Sequence, residues 1–330
     1  MKHLPRNTIL TGDARRVLAG LLPESVDCCI TSPPYVAALR DYGRADQLGQ
    51  EPNVAEYVEN LRAVLAHVRR LLKPTGSLFL NLGDATSRHE RQGAPAKGML
   101  LAPQRVALAL AEDGWLIRNV LIWKKSNPMP QSAQDRFSPT YETVIFATKE
   151  PHYFFDLDAV RVPFRSIHRI GRMTPAALGR LYQGHNDGLG KLRAIGQIGN
   201  PRGKNPGDTW TLGTAVDRLG HQATFPAALV ERPILATCPE RICVQCDRPW
   251  TRATRIVRRR TNEGVIQLRH VGQLRRCDCF APSRPGVVLD PFFGTGTVGT
   301  VAARLRRDWL GVELNPAYVR AARRRLGGDP

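Results

Sequence analysis

Residues 286–326 constrain the fold of this chain most tightly, because strand and helix signals alternate there without interruption. Gly286-Val287-Val288-Leu289-Asp290 is a β-branched apolar run, Pro291 to Gly299 a glycine-rich loop, and Thr300 to Arg307 a helical segment. Trp309 to Glu313 is a second apolar run and Pro316 to Leu326 a closing helix. Strands that are apolar on both faces need further parallel strands beside them and helices above and below. Only a few residues follow the closing helix, so the rest of such a sheet has to come from the N-terminal half.

That half supplies matching units. Asn7 to Leu10 reads as a strand, Thr11-Gly12-Asp13 as a turn and helix cap, Ala14 to Leu22 as a helix, and Val26-Asp27-Cys28-Cys29-Ile30 as a buried strand. Helical spacing runs from Val54 to Leu72 and closes at Lys73-Pro74-Thr75-Gly76. A strand over Ser77 to Leu82, a helix over Pro103 to Asp113, and strands over Trp115 to Trp123 and Tyr141 to Thr148 follow. The pattern predicts an α/β protein with a doubly wound, mainly parallel sheet. Residues 36–53 read as a polar loop. From Arg165 to Thr214 periodicity fails, apart from a short helix over Pro175 to Leu181, so a long loop or insertion is expected. Order resumes over His221 to Leu235, where Phe225-Pro226 opens a helix.

Two loops carry chemistry. Gly294-Thr-Gly296-Thr-Val-Gly299 fits the dinucleotide-binding pattern, and Glu313 follows Gly294 by 19 residues at the end of the next strand. Glycines let backbone amides approach a ligand, and the carboxylate can accept hydrogen bonds from two ribose hydroxyls, so an adenosine-bearing cofactor is indicated. The position argues against a nicotinamide dinucleotide, whose fold needs more strands after this unit. The second loop is Thr31-Ser32-Pro33-Pro34-Tyr35, at the end of a strand. Two prolines remove two N–H donors and keep the chain extended, which leaves carbonyls without ladder partners beside a hydroxyl and an aromatic ring. Such a group can hold a flat ligand carrying an amino group. It can equally be a stiff surface turn with a packed tyrosine. If the halves share one sheet, both loops lie on the carboxyl rim where ligands bind.

Charge points to a polyanion. Residues 151–330 hold 29 of the 48 basic and 14 of the 29 acidic residues, a net of +15 against +4 in residues 1–150. The excess is mostly arginine, which suits phosphate and base-edge contacts. No apolar run reaches membrane-spanning length and the N-terminus lacks a signal peptide's apolar segment, so a cytoplasmic protein that avoids membranes is expected. Seven cysteines do not form an even disulfide framework. Cys28 and Cys29 lie in the buried strand, where one or both pack as small hydrophobes. Cys243-Val-Gln-Cys246 and Cys277-Asp-Cys279 form two close pairs suited to a structural zinc that staples a basic hairpin over Arg252 to Arg276, with Cys238 as a spare ligand.

In the order of its motifs the chain resembles the β group of amino-methylating DNA methyltransferases, of the restriction-modification type. The resemblance rests on Gly12-Asp13, Thr31 to Tyr35, Leu80-Asn81-Leu82-Gly83-Asp84, Asn205-Pro206-Gly207-Asp208, His221 to Pro226, Asp290 to Thr297 and Glu313. It implies a Rossmann-like class I methyltransferase fold with an inserted target-recognition region, and methyl transfer from S-adenosylmethionine to a flipped-out base in double-stranded DNA. By the same resemblance Ser32, Pro33, Pro34 and Tyr35 are catalytic. Asp290, Pro291, Phe292, Gly294, Gly296 and Thr297 then surround the methionine part of the cofactor with Thr31 beside them, Glu313 takes the ribose, Asp13 the adenine, and Pro226 the methionine end. Ser32 in the first position resembles N4-cytosine members more than N6-adenine members, which remain the alternative. A Pro-Cys nucleophile for cytosine C5 is absent, since the chain has only Cys238-Pro239. An RNA or protein amide methyltransferase and a non-catalytic DNA-binding protein are further alternatives. A cognate restriction endonuclease acting on the same site would be the partner. The implied organisation is a catalytic half over 1–150, a basic recognition insertion over 151–220, a return to the core over 221–237, a zinc ribbon over 238–285 and a cofactor half over 286–330.

Overall fold

The computed structural model describes residues 3–37, 47–163, 203–214, 225–257 and 267–327. The helix expected over 175–181 and the start of the segment expected from His221 lie outside them. In chain order the elements are β1 (Thr8–Thr11), α1 (Ala14–Ala19), β2 (Val26–Thr31), α2 (Val54–Leu71), β3 (Leu72–Leu82), α3 (Ala102–Glu112), β4 (Leu116–Lys125), β5 (Tyr141–Thr148) and β6 (Thr209–Leu212). They continue with α4 (Ala227–Thr237), β7 (Ile242–Cys243), β8 (Thr251–Val257), β9 (Gln267–Leu274), β10 (Ser283–Arg284), β11 (Val287–Asp290), α5 (Thr297–Arg304), β12 (Asp308–Glu313) and α6 (Pro316–Arg325). Two units make up the chain. The first comprises Met1–Phe155, Asp208–Pro249 and Cys277–Pro330; the second comprises Asp156–Gly207 and Trp250–Arg276.

The first unit is built on an eight-stranded sheet of order β1-β12-β11-β2-β3-β5-β4-β6. Every neighbouring pair is parallel except those of β5, which runs antiparallel to β3 and β4. The doubly wound, mainly parallel sheet expected from the sequence is therefore present. β1 does not pair with β2, its successor; it pairs with β12, Thr11 opposite Glu313. The last two strands thus slot between the first two, and the strand order reverses at the β11–β2 junction.

Helices cover both faces. On one side α1, α2 and α3 pack Leu18, Leu61, Leu65 and Leu110 into one apolar cluster; on the other, α4, α5 and α6 pack Ile234, Val298 and Val319 into a second. Successive residues of a strand point to opposite faces, and the cysteines of β2 show it: Cys29 enters the first cluster and Cys28 the second, both fully buried. Burial pushes the Cys28 thiol up to about 12 and raises that of Cys29 as well, so both pack as neutral thiols. Asp27 interrupts this apolar strand. Its carboxylate accepts the Val287 N–H at 2.8 Å and pairs with Lys73 at 3.0 Å, which ties β2 to its neighbours β11 and β3 at their amino ends.

Three segments differ from the sequence reading. Thr209–Leu212, expected within an unpatterned loop, forms the edge strand β6 beside β4. Only Trp210 of this strand is buried, so four residues of mixed polarity carried no recognisable alternation. β3 starts at Leu72 immediately after α2, and takes in the Lys73 to Gly76 stretch at which the helix was expected to close. α5 begins at Thr297, because Gly296 adopts a left-handed φ of 81° and already serves as its N-cap. The second unit contains the antiparallel hairpin β8–β9, Thr251 opposite Leu274, where a basic hairpin was expected.

Candidate active site

The carboxyl ends of β1, β2, β11 and β12 lie on one rim, and a cleft opens there at the reversal of strand order. It encloses a cavity of about 160 Å³. Gly12 and Asp13 line it from the turn after β1, Ser32 and Pro34 from the loop after β2, Asp290, Pro291, Phe292, Gly294 and Thr297 from the glycine loop, and Glu313 from the end of β12. Leu48, Phe225 and Tyr318 add apolar wall.

Two carboxylates dominate the cleft electrostatically. Asp290 is 1% exposed, and its Oδ1 accepts the Thr31 hydroxyl at 2.6 Å and the Phe292 N–H at 3.1 Å. Burial pushes its pKa up to about 7 against the pull of those two hydrogen bonds, and Glu313 nearby pushes the same way. Burial also raises Glu313, which accepts the Gly294 N–H and the Asn315 N–H, each at 2.7 Å. Among the described residues no cationic side chain pairs with either carboxylate. Arg15 lines the cleft but pairs with Asp13, so the two buried acids, without a cation partner among the described residues, suit a ligand carrying positive charge and hydroxyl donors.

The glycines divide by role. Gly294 has a φ of 52° and a side chain there would meet nothing within 4 Å, so it turns the chain and keeps the cleft open. A Cβ on Gly299 would lie 2.6 Å from the Phe293 ring, so this third glycine of the pattern serves helix–strand packing. Gly296 caps α5 with the Phe293 ring and Ala322 3.2 Å from where its Cβ would be. Thr31 is buried behind the wall, where it joins the two motif loops through Asp290. Pro226 caps α4, and it is Phe225 before it that reaches the cleft. Asp13 caps α1 by accepting the Arg16 N–H at 3.2 Å and also lines the cleft.

Beside the cleft, Ser32 and Tyr35 belong to a hydrogen-bonded cluster that the sequence reading did not assemble. The two hydroxyls are 3.2 Å apart. Tyr35 donates to Glu142 Oε2 at 2.6 Å, and the Asn81 amide donates to Tyr35 and to Glu142 at 2.8 Å and to Ser32 at 3.3 Å. Lys125 holds the other Glu142 oxygen at 2.7 Å. The Pro34 carbonyl accepts the Tyr57 hydroxyl at 3.0 Å, which fixes the loop onto α2. A Cβ on Gly83 would stand 2.6 Å from Tyr35 Cε2 and 2.7 Å from Cδ2, so this side of the ring lies close against Gly83. Asn81 and Gly83 belong to one of the motifs that carry the family resemblance, but Glu142 and Lys125 were missed. Their one signal was a charged residue near the start of the apolar run from Tyr141 and another near the end of the strand from Trp115.

A parallel sheet with an antiparallel strand inserted at β5, its ligand cleft at the reversal and helices on both faces, is the Rossmann-like methyltransferase fold. The solved PvuII DNA methyltransferase (cytosine-N4-specific) superposes with a TM-score of 0.55 over 97% of this chain and 86% of its own, at 19% identity. A family model described as DNA methylase matches residues 26–324, and the chain belongs to that family, the N6/N4 DNA methylases. Type II methyltransferase M.XycI of Xanthomonas campestris pv. cyanopsidis is 31% identical over 98% of this chain and 88% of its own. Type II methyltransferase M.SmaI of Serratia marcescens is 29% identical over 96% and 90%. Among the described residues no helix is long and apolar enough to cross a membrane.

Proposed function

We propose that this chain transfers a methyl group from S-adenosylmethionine to the exocyclic N4 of cytosine in double-stranded DNA. The observation that carries the reading is the Ser32 hydroxyl, which lines the cleft and is hydrogen-bonded to Tyr35 and Asn81. An exocyclic amine is a poor nucleophile because its lone pair is delocalised into the ring. Ser32 Oγ and the Pro33 carbonyl accept the amine hydrogens and concentrate the lone pair on nitrogen, and the Tyr35 ring stacks on the extruded base. Pro34 keeps the loop extended for both contacts. The bound donor supplies a methyl group on a positively charged sulfur. Asp290 and Thr297, with Pro291, Phe292, Gly294 and Gly296 shaping the loop, hold its charged amino-acid end; Glu313 holds the ribose, Asp13 the adenine, and Pro226 positions Phe225 against it. Thr31 acts through Asp290. The proton that the methylated nitrogen sheds has a route through Ser32 and Tyr35 to the Glu142 carboxylate. Positioning and electrostatics account for the catalysis.

The second unit supports a recognition role. Its segments, 156–207 and 250–276, hold 17 of the 48 basic and 4 of the 29 acidic residues, an excess suited to the DNA backbone. The type II relatives favour a restriction endonuclease of the same specificity as partner. N6-adenine is the competing target within the family. Methylating DNA with radiolabelled donor and digesting it to nucleosides tests the base: N4-methylcytosine is expected, and N6-methyladenine overturns that assignment alone. Ser32→Ala and Tyr35→Ala are expected to abolish transfer while the donor still binds, and undiminished transfer by both would overturn the catalytic assignment.

A further inference from the structure

We infer that Cys243, Cys246, Cys277 and Cys279 bind one structural zinc ion at the end of the sheet remote from the cleft. The four sulfurs all lie within 4.8 Å of one another. Tetrahedral zinc with bonds of about 2.3 Å separates its sulfurs by about 3.8 Å, so small rotations of the side chains complete the sphere. Burial does not explain the cluster. Cys28, Cys29 and Cys238 are fully buried core residues, whereas of the cluster only Cys243 is buried, Cys246 being exposed and Cys277 and Cys279 half-buried. Cys238, the spare ligand, packs in the core below α4 and is not part of the group.

The backbone is shaped for the metal on both arms. Cys243 and Arg248 close a tight turn through Cys243 N–H to Arg248 O at 3.0 Å, with Asp247 N–H returning to Cys243 O at 3.0 Å and Asp247 in the left-handed region at a φ of 54°. Inside that turn the N–H groups of Cys246 and Gln245 point at the Cys243 sulfur. The second arm is held beside it by β10, where Ser283 pairs with Cys243 and Pro282 O accepts the Val244 N–H at 3.0 Å. Four protein thiolates leave no open coordination position, which fits a structural ion and no Lewis-acid role.

The turn is also keyed into the core. Asp247 accepts from Arg284 at 2.5 Å and lies 3.4 Å from Lys73, whose ammonium pairs with Asp27 on β2. These residues stand at the amino ends of β2 and β3, while Ser32 follows the carboxyl end of β2. The chain leaves this anchor after Cys246, forms the β8–β9 hairpin, and returns at Cys277, so the ion closes the covalent base of a segment, 250–276, that holds eight of the 48 basic residues.

Metal analysis of the full-length protein, purified under reducing conditions without added metal, is expected to give one zinc per chain. Titration with a mercurial should release it. Cobalt substitution should give the intense thiolate charge-transfer absorption of a tetrahedral tetrathiolate site. Cys246→Ser and Cys279→Ser should lose the zinc, and Cys238→Ala should keep it. A metal-free wild-type protein with four freely alkylated thiols, disulfides among these cysteines by mass spectrometry, or iron in place of zinc would each overturn the assignment, whether or not any variant folds.

Discussion

At the scale of single residues, the burial of Asp290 couples its ionisation to folding. Asp290 ionises at about 7 in the folded protein against an ordinary 3.8, so the folded state retains a proton that the unfolded chain has released. Stability is undiminished below pH 3.8, falls as pH rises from there, and has lost about 4 kcal/mol above pH 7. Asp290→Asn keeps an oxygen to accept both the Thr31 hydroxyl and the Phe292 N–H, and it removes the titration. In the cofactor-free state the variant is expected to be the more stable protein at pH 8 and to lose that advantage towards pH 4, as urea unfolding at several pH values will show. Affinity for a cationic donor should rise between pH 6 and 8 in the wild type and stay flat in Asp290→Asn. Tyr35 offers a second test. Tyr35→Phe keeps the stacking face but removes the hydroxyl shared by Ser32, Asn81 and Glu142. Single-turnover methylation should slow by about 10- to 100-fold with donor affinity unchanged, and Glu142→Gln should slow it in the same direction.

At the scale of elements, the motif Leu80-Asn81-Leu82-Gly83-Asp84 does three separate jobs at the end of β3. Asn81 joins the hydroxyl cluster, Gly83 seats the Tyr35 ring, and Asp84 accepts N–H groups of Ala85, Leu101 and Ala102 at 2.9, 3.0 and 3.1 Å. Leu101, the N-cap of α3, has a left-handed φ of 55°, and Asp84 holds it there. Asp84→Ala should therefore destabilise the protein by about 1–2 kcal/mol, lowering the thermal midpoint while leaving transfer at low temperature intact. Gly83→Ala should do the reverse. The added methyl group displaces a rigid ring 2.6 Å away, so transfer falls while donor binding and stability change little. Comparing the two variants separates support of the scaffold from support of the chemistry.

At the scale of the whole molecule, positive charge is concentrated in the second unit. If the second unit tracks the DNA backbone, the logarithm of DNA affinity should fall linearly with the logarithm of salt concentration. Replacing Arg258, Arg259 and Arg260 by Gln should reduce that slope by about 1 for each phosphate that the variant no longer neutralises. Donor binding in the first unit should not respond. An unchanged slope in the triple variant, read by filter binding over a salt series, would remove this tract from the DNA interface.

Local structure was legible from the residues alone. Strand β2, helix α2 and the glycine loop could be read because apolar periodicity, two prolines and positive-φ glycines leave few backbone alternatives. The order of motifs likewise announced the family and the α/β sheet. What the chain could not announce were contacts between residues far apart in it. Thr31 meets Asp290 across 259 positions, Tyr35 meets Glu142 across 107, and β1 reaches β12 only because the last two strands insert beside it. The raised pKa of Asp290 is of the same kind. Its neighbours in sequence are ordinary, and only burial at the junction of two halves of the sheet makes its ionisation costly. Even Thr209–Leu212 becomes a strand only through pairing with β4, since an edge strand takes its hydrogen bonds from a partner whose position only the folded sheet decides.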